Sequence, residues 1–231
     1  MTIALLTSSA SHASASGLGV NLGWGDCGGL PASFNMTSLC NSNFGTYTLV
    51  GSFVAPSGVT AASANEITMD MQTSGATLPP WWELRTGLCR SASLSANVDF
   101  TGGPFTCYDY WQGGSSFGIV MDNLIGNRAR IRLVVALPAG SPLITSIPEK
   151  LEVYSFKTLI NSAKTTGLGA CAGCQEGATI VLTSIRINQP VGTPGGNILL
   201  ALPASRNYVT WQSGLTPTRN ATWGSIKALY R

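Results

Sequence analysis

Glu66-Ile67-Thr68-Met69-Asp70-Met71-Gln72 alternates polar and apolar residues without a break. Successive side chains of a strand point to opposite faces, so Ile67, Met69 and Met71 share one face and the polar residues the other. That pattern predicts a strand half-buried in a sheet. Outward from it, similar segments recur. Thr46 to Val54 is rich in β-branched and aromatic residues and stops before Pro56, and Leu94 to Phe100 alternates more loosely. Arg128 to Leu137 alternates charged and apolar residues before running into Val134-Val135. Leu151 to Ile160, Thr179 to Ile187 and Tyr208 to Trp211 complete the set. Gly and Pro punctuate the gaps. No long 3.6-residue period appears, and only short helical turns are expected, at Pro79 to Leu84 and where Ile226, Leu229 and Tyr230 share a face. Seven or more strands without intervening helices predict an all-β fold, an antiparallel β-sandwich or jelly roll. At 231 residues the chain fits one such domain, read over residues 20–231 with residues 1–19 set apart.

Charge is the anomaly. Asp, Glu, Lys and Arg make up 10% of the chain, against about 25% in ordinary soluble domains. A surface so poor in ions is expected to wear glycans or to be buried against copies of itself. Asn35-Met36-Thr37 and Asn220-Ala221-Thr222 match the N-glycosylation pattern, which arises often by chance. Arg128, Arg130 and Arg132 fall on one face of a strand, a solvated face rather than a nucleic-acid footprint, which needs a broader basic surface.

Six cysteines, Cys27, Cys40, Cys89, Cys107, Cys171 and Cys174, imply an oxidising compartment and a disulfide-stapled, secreted or cell-surface protein. Fifteen pairings exist, and the spacing favours local bridges in chain order, Cys27 with Cys40, Cys89 with Cys107 and Cys171 with Cys174. The rival reading, a zinc knuckle at Cys171-Ala172-Gly173-Cys174, lacks a second such pair and nearby histidines. Near the N-terminus, Ile3-Ala4-Leu5-Leu6 and Ala13-Ser14-Ala15 admit two readings: the remnant of a cleaved signal peptide, or an extended arm that includes Ile3, Leu5, Leu18 and Val20. No apolar run is long enough to span a membrane as a helix.

The single histidine, His12, lies in that Ser/Ala segment, so a Ser-His-Asp or Cys-His site on the folded domain has no base. Gly114-Ser115-Ser116-Phe117-Gly118 matches the nucleophile-elbow pattern, but that elbow needs a strand-to-helix turn, and a Gly/Ser loop is the better reading. Among the carboxylates, Asp109 beside Tyr108, Tyr110 and Trp111, and Glu83 after Trp81-Trp82, have the settings a glycosidase would use. The aromatic residues Trp81, Trp82, Tyr110 and Trp111 would stack on sugars if exposed and fill a core if buried.

Tyr110-Trp111-Gln112-Gly113, Asn127 to Arg132, Cys171 to Cys174 and the closing Thr222 to Arg231 resemble a group of uncharacterised secreted bacterial proteins. The resemblance implies export and one compact domain and transfers no site residues. Three functions are weighed. The leading one is a non-enzymatic extracellular structural subunit, without cofactors, that joins copies of itself into a fibre or surface layer by strand addition. The second is a carbohydrate-binding adhesin on Trp81, Trp82, Tyr110 and Trp111, and the third a glycosidase resting on Asp109 and Glu83.

Overall fold

The computed structural model describes residues 17–25, 33–100, 107, 109–145, 147 and 149–213. They form a sandwich of two sheets, built from β1 (Gly19–Trp24), β2 (Asn35–Met36), β3 (Thr46–Val54), β4 (Ala64–Thr73), β5 (Leu94–Asn97), β6 (Ser116–Asn123), β7 (Arg128–Ala136), β8 (Glu152–Asn161), β9 (Ala178–Asn188), β10 (Ile198–Leu200) and β11 (Tyr208–Trp211). The smaller sheet runs β1-β3-β8-β5; the larger runs β2-β11-β9-β4-β7-β6, with β10 added to β9. Every pairing is antiparallel except β11 with β2. The sequence-predicted strands all appear, the loose Leu94 to Phe100 segment shortened to β5. β1, β2, β6 and β10 are additions to the expected set.

The core follows from the period-two pattern. Ile67, Met69 and Met71 of β4 lie inward beside Ile131, Leu133 and Val135 of β7, and pack against Leu49, Phe53, Val153 and Phe156 of the other sheet. Gly51 of β3 is required there, because a Cβ on it would sit 2.1 Å from the Phe156 ring. The expected helical turn at Pro79 to Leu84 is a single 3-10 turn, Pro80–Trp82. The second expected turn, around Ile226 to Tyr230, lies outside the described residues.

The two outer faces differ. On the larger sheet, Arg130 pairs with Asp70 at 2.7 Å, Arg132 with Asp122 at 2.6 Å and Arg186 with Glu66 at 4.0 Å. The basic strand face of β7 is therefore a solvated, ion-paired surface. On the smaller sheet, Val50, Ser52, Val54 and Lys157 are buried although they alternate with core residues. Phe100 covers this side, tilted against Tyr154 with the Lys157 ammonium 4.9 Å from its ring centroid.

Register also fixes where the chain enters and leaves. Gly19 pairs with Val54, beside the β3–β4 connection, whereas Trp211 pairs with Ala178, which opposes Thr73 at the far end of β4. The start of β1 and the end of β11 thus lie at opposite ends of the sandwich.

Candidate functional site

Five aromatic rings gather at the β11 end. Trp81 stacks on Trp211 at 4.9 Å, Trp82 meets both edge-on, and Tyr47 and Trp24 close on Trp211. In a 3-10 turn, unlike a strand, adjacent residues need not point to opposite faces, so Trp81 and Trp82 both enter the core. Three of the four indole donors are spent locally: Trp81 Nε1 donates to Thr165 Oγ1 at 3.0 Å, Trp211 Nε1 to the Cys174 carbonyl at 2.7 Å, and Trp24 Nε1 to the Thr210 carbonyl at 3.0 Å, while Trp82 Nε1 is buried without a partner among the described residues.

Arg90 locks this end. Its guanidinium lies 3.8 Å above the Trp81 ring and donates to the carbonyls of Trp81 (2.8 Å), Ala163 (3.0 Å) and Asn161. Burial lowers its pKa to about 10, with the nearby Tyr47 opposing the shift.

The cysteines correct the expected chain-order pairing. Cys40 bridges Cys174 across 134 residues, and Cys89 bridges Cys171 across 82. The reason is topological: the β8–β9 loop carrying Cys171 and Cys174 lies at the same end as the loops after β2 and before β5, so each cysteine meets a different loop. Cys107 is also disulfide-bonded, and Cys27 lies outside the described residues. Cys171-Ala172-Gly173-Cys174 is thus a double staple and not a zinc knuckle.

The other aromatic pair packs elsewhere in the core, Tyr110 edge-on to Phe53 at 5.5 Å. Tyr110 and Trp111 are 0% and 1% exposed, as are Trp81 and Trp82 at 0%. The expected sugar-stacking platform is corrected on this point: none of the four rings offers a face to solvent. Trp111 Nε1 donates to the Ser155 carbonyl at 2.7 Å, and Asn65 Nδ2 donates to Ser155 Oγ at 2.8 Å. Burial pushes the Tyr110 hydroxyl well above the usual tyrosine range, Asn65 opposing.

The two carboxylates singled out for glycoside chemistry have separate structural duties. Glu83 accepts from Asn123 Nδ2 at 2.8 and 3.0 Å and pairs with Arg85 at 3.5 Å. Asp109 Oδ1 instead accepts the Trp111 amide at 3.1 Å. No contact joins them. Ser116 of the elbow-like pattern opens β6, an antiparallel edge strand with no helix after it.

Among the residues expected to form an assembly arm, Val20 is 0% exposed in β1, paired with Phe53 and bridged to Pro203. It belongs to its own sandwich and is corrected out of the arm. Leu18 is exposed just before β1, and Ile3 and Leu5 lie outside the described residues. Asn35 is exposed in β2, its Oδ1 accepting from Thr210 Oγ1 at 2.6 Å. Asn220 lies outside the described residues.

What remains open is an edge that the sequence reading missed. β6 pairs with β7 from Ser116 to Asn123 in unbroken register. The Leu124 amide bonds the Arg128 carbonyl at 2.9 Å, continuing that register. Hydrogen-bonded and non-bonded pairs alternate along an antiparallel ladder, so Ser116, Gly118, Val120 and Asp122 turn their amides to β7. Phe117, Ile119, Met121 and Asn123 turn theirs outward, where no backbone partner meets them among the described residues. Native edges are usually guarded by Lys, Pro, a bulge or shortness. β6 has eight residues, no Lys, no Pro and no bulge, and its Phe117 and Val120 are 46% and 53% exposed.

Fold and site together define, among the described residues, a disulfide-stapled β-sandwich with its tryptophans buried and a larger sheet whose edge strand, β6, has no further strand beside it. Such disulfides belong to an oxidising compartment, and no helix among the described residues is long and apolar enough to cross a membrane. No family model and no curated protein matches the chain. Among solved structures it is similar to a cohesin module of a family 33 glycoside hydrolase from Clostridium perfringens, with 8% identity over 84% of this chain and 93% of that one and a TM-score of 0.35. It is also similar to the second type II cohesin module of the adaptor ScaA scaffoldin of Acetivibrio cellulolyticus, with 12% identity, 91% and 97% covered and a TM-score of 0.28. Likenesses so distant carry no argument about what this chain does, and the sandwich is read from its own strand pairing.

Proposed function

We propose that the chain is an extracellular, non-enzymatic structural subunit that assembles with copies of itself through the edges of its sheets. The observation that carries this reading is the unguarded β6 edge: a full-length strand with outward amides and exposed apolar side chains is a template for another strand. Two further features support it. The carboxylates and aromatic residues that an enzyme or a sugar-binding platform would use hold the scaffold together instead. A formal net charge of only +3 also leaves copies with little long-range repulsion.

Sedimentation velocity and negative-stain electron microscopy of the full chain, purified with its disulfides formed, test the reading. Concentration-dependent growth into dimers and larger ordered species is expected. A monomer at every concentration up to the solubility limit would overturn it.

A further inference from the structure

We infer that β6 pairs with β6 of a second copy, antiparallel about a two-fold axis through Val120, joining the two larger sheets into one continuous sheet. This rests on the self-assembly reading and names its joint.

The geometry selects the register. In an antiparallel pair the outward amides must oppose one another, so Phe117, Ile119, Met121 and Asn123 of one copy must face odd-numbered residues of the other. A two-fold axis at Val120 sets Ile119 opposite Met121 of the second copy and Phe117 opposite Asn123, each pair twice. About eight backbone hydrogen bonds then form across the joint, using every outward amide and carbonyl of the strand. On the outer face Val120 meets its own counterpart, and Asp122 meets Gly118.

Three observations fit this occupant. First, Gly118 sits mid-strand without a reason in its own chain: a Cβ there would meet nothing within 4 Å, and its backbone is not left-handed. Glycine inside a strand often marks a place where another backbone or group approaches closely, and the register brings Asp122 of the second copy over it. Second, no like charges are opposed. Asp122 is the only charged residue of β6, it stays paired with Arg132 of its own chain, and the residue it faces is uncharged. Third, the apolar residues left open at this edge lie on or beside the axis. Val120 falls on it, Val134 of β7 is its neighbour on the same face, and Phe117 lies at the rim of the core side, where the four strands of the smaller sheet leave it half-covered. A two-fold contact is self-complementary by construction, which suits a strand that carries both Gly118 and Asp122.

Cysteine cross-linking of the full chain tests the register, with native disulfides formed before mild oxidation and products read on non-reducing gels and by intact mass. Val120 pairs as a non-hydrogen-bonded pair, where side chains approach most closely. Val120→Cys is therefore expected to give covalent dimer as its main product. Val134→Cys, equally exposed on the next strand, is expected to stay uncross-linked. Gly118→Cys alone should give no covalent dimer, whereas a mixture of Gly118→Cys with Asp122→Cys should give the covalent heterodimer. Val120→Ser, with unchanged circular dichroism, serves as the fold control. Val120→Lys, a solvent-side change that places like charges face to face, should lower self-association at least tenfold. Assembly that persists with no cross-linking at Val120 would overturn the β6 pairing while leaving the self-assembly reading intact. A Val120→Cys chain that is monomeric at all concentrations would overturn both. Equal cross-linking at Val120 and Val134 would mean random collision and also overturns the register.

Discussion

Arg90→Met sets two opposing terms of similar size against each other. In the native fold the guanidinium pays for burial, its pKa falling from 12.5 to about 10. That shift corresponds to about 3 kcal/mol of penalty on the charged form. Against this stand three donated bonds to the carbonyls of Trp81, Ala163 and Asn161 and a contact 3.8 Å above Trp81. Bonds from a charged donor contribute about 1.5 kcal/mol or more each, and a desolvated cation–π contact about 1 to 2. Methionine matches the stem of the side chain and removes the penalty, but it leaves three carbonyls unpaired at a stapled end of the sandwich. The favourable terms win, and Arg90→Met is expected to lose about 2 to 3 kcal/mol. Arg90→Lys should fall between, since an ammonium cannot reach three carbonyls spread around a planar fork. Urea unfolding at neutral pH, followed by the fluorescence of the buried tryptophans, measures the difference as a shift in midpoint at constant m. If Arg90→Met proved as stable as the parent, or more so, desolvation would outweigh the bonds, as it does for some buried ions, and the locking role would be refuted.

Replacing Cys40 and Cys174 together by Ser opens a cross-link of 134 residues, for which chain entropy gives about 5 kcal/mol as an upper estimate; a loss under 1 kcal/mol in urea unfolding would show that the remaining staples carry this end. Gly51→Ala drives a methyl into the Phe156 ring and should cost about 1 to 3 kcal/mol, whereas Gly118→Ala, with open space around it, should leave monomer stability within about 0.5 kcal/mol in the same assay. Tyr110 carries a pH signature: its raised hydroxyl pKa gives stability that is complete below the unfolded value near 10 and is lost as pH rises above it. Tyr110→Phe should therefore gain on the parent by about 1 kcal/mol between pH 9 and about pH 11, and a pH-independent difference would refute the assignment.

How much of this was legible in the sequence depends on what each residue's neighbours had to be. β4 and β7 were readable because one face of each is core and the other solvent, which writes the alternation into Ile67-Thr68-Met69 and Arg130-Ile131-Arg132. β1 was not: Val20, Leu22 and Trp24 do alternate, but Gly19 and Gly23 stand among them and a Ser/Ala stretch precedes them, so Val20 read as the end of an arm and the rest of the strand was not read at all. β6 hid in the same way, its start lying in Gly114-Ser115-Ser116-Phe117-Gly118 and its middle interrupted by Gly118. The aromatic clusters were visible but their side was not, since a tryptophan looks the same in sequence whether it stacks on a sugar or on Trp211. The disulfides were countable but not pairable, because spacing along the chain says nothing of which loops meet at one end of a sandwich.

The shortage of charge, read at first as a sign of glycans or of burial against copies, divides once the two faces are seen. One part has an internal cause. On the outer side of the smaller sheet the few charges are taken up by the chain itself: Lys157 lies buried against Phe100, and Glu152 accepts from Ser52 and Asn21. The other part does not. On the larger sheet the ion pairs run from Glu66 and Arg186 across Asp70 and Arg130 to Arg132 and Asp122, and there they stop. Asp122 is turned back toward Arg132, and the edge beyond it presents Phe117, Val120 and bare backbone. Edge strands that face water for good place charge outward, since a buried charge would make the addition of a further strand costly. β6 spends its one carboxylate on its own sheet, as the proposed pairing with a second copy requires.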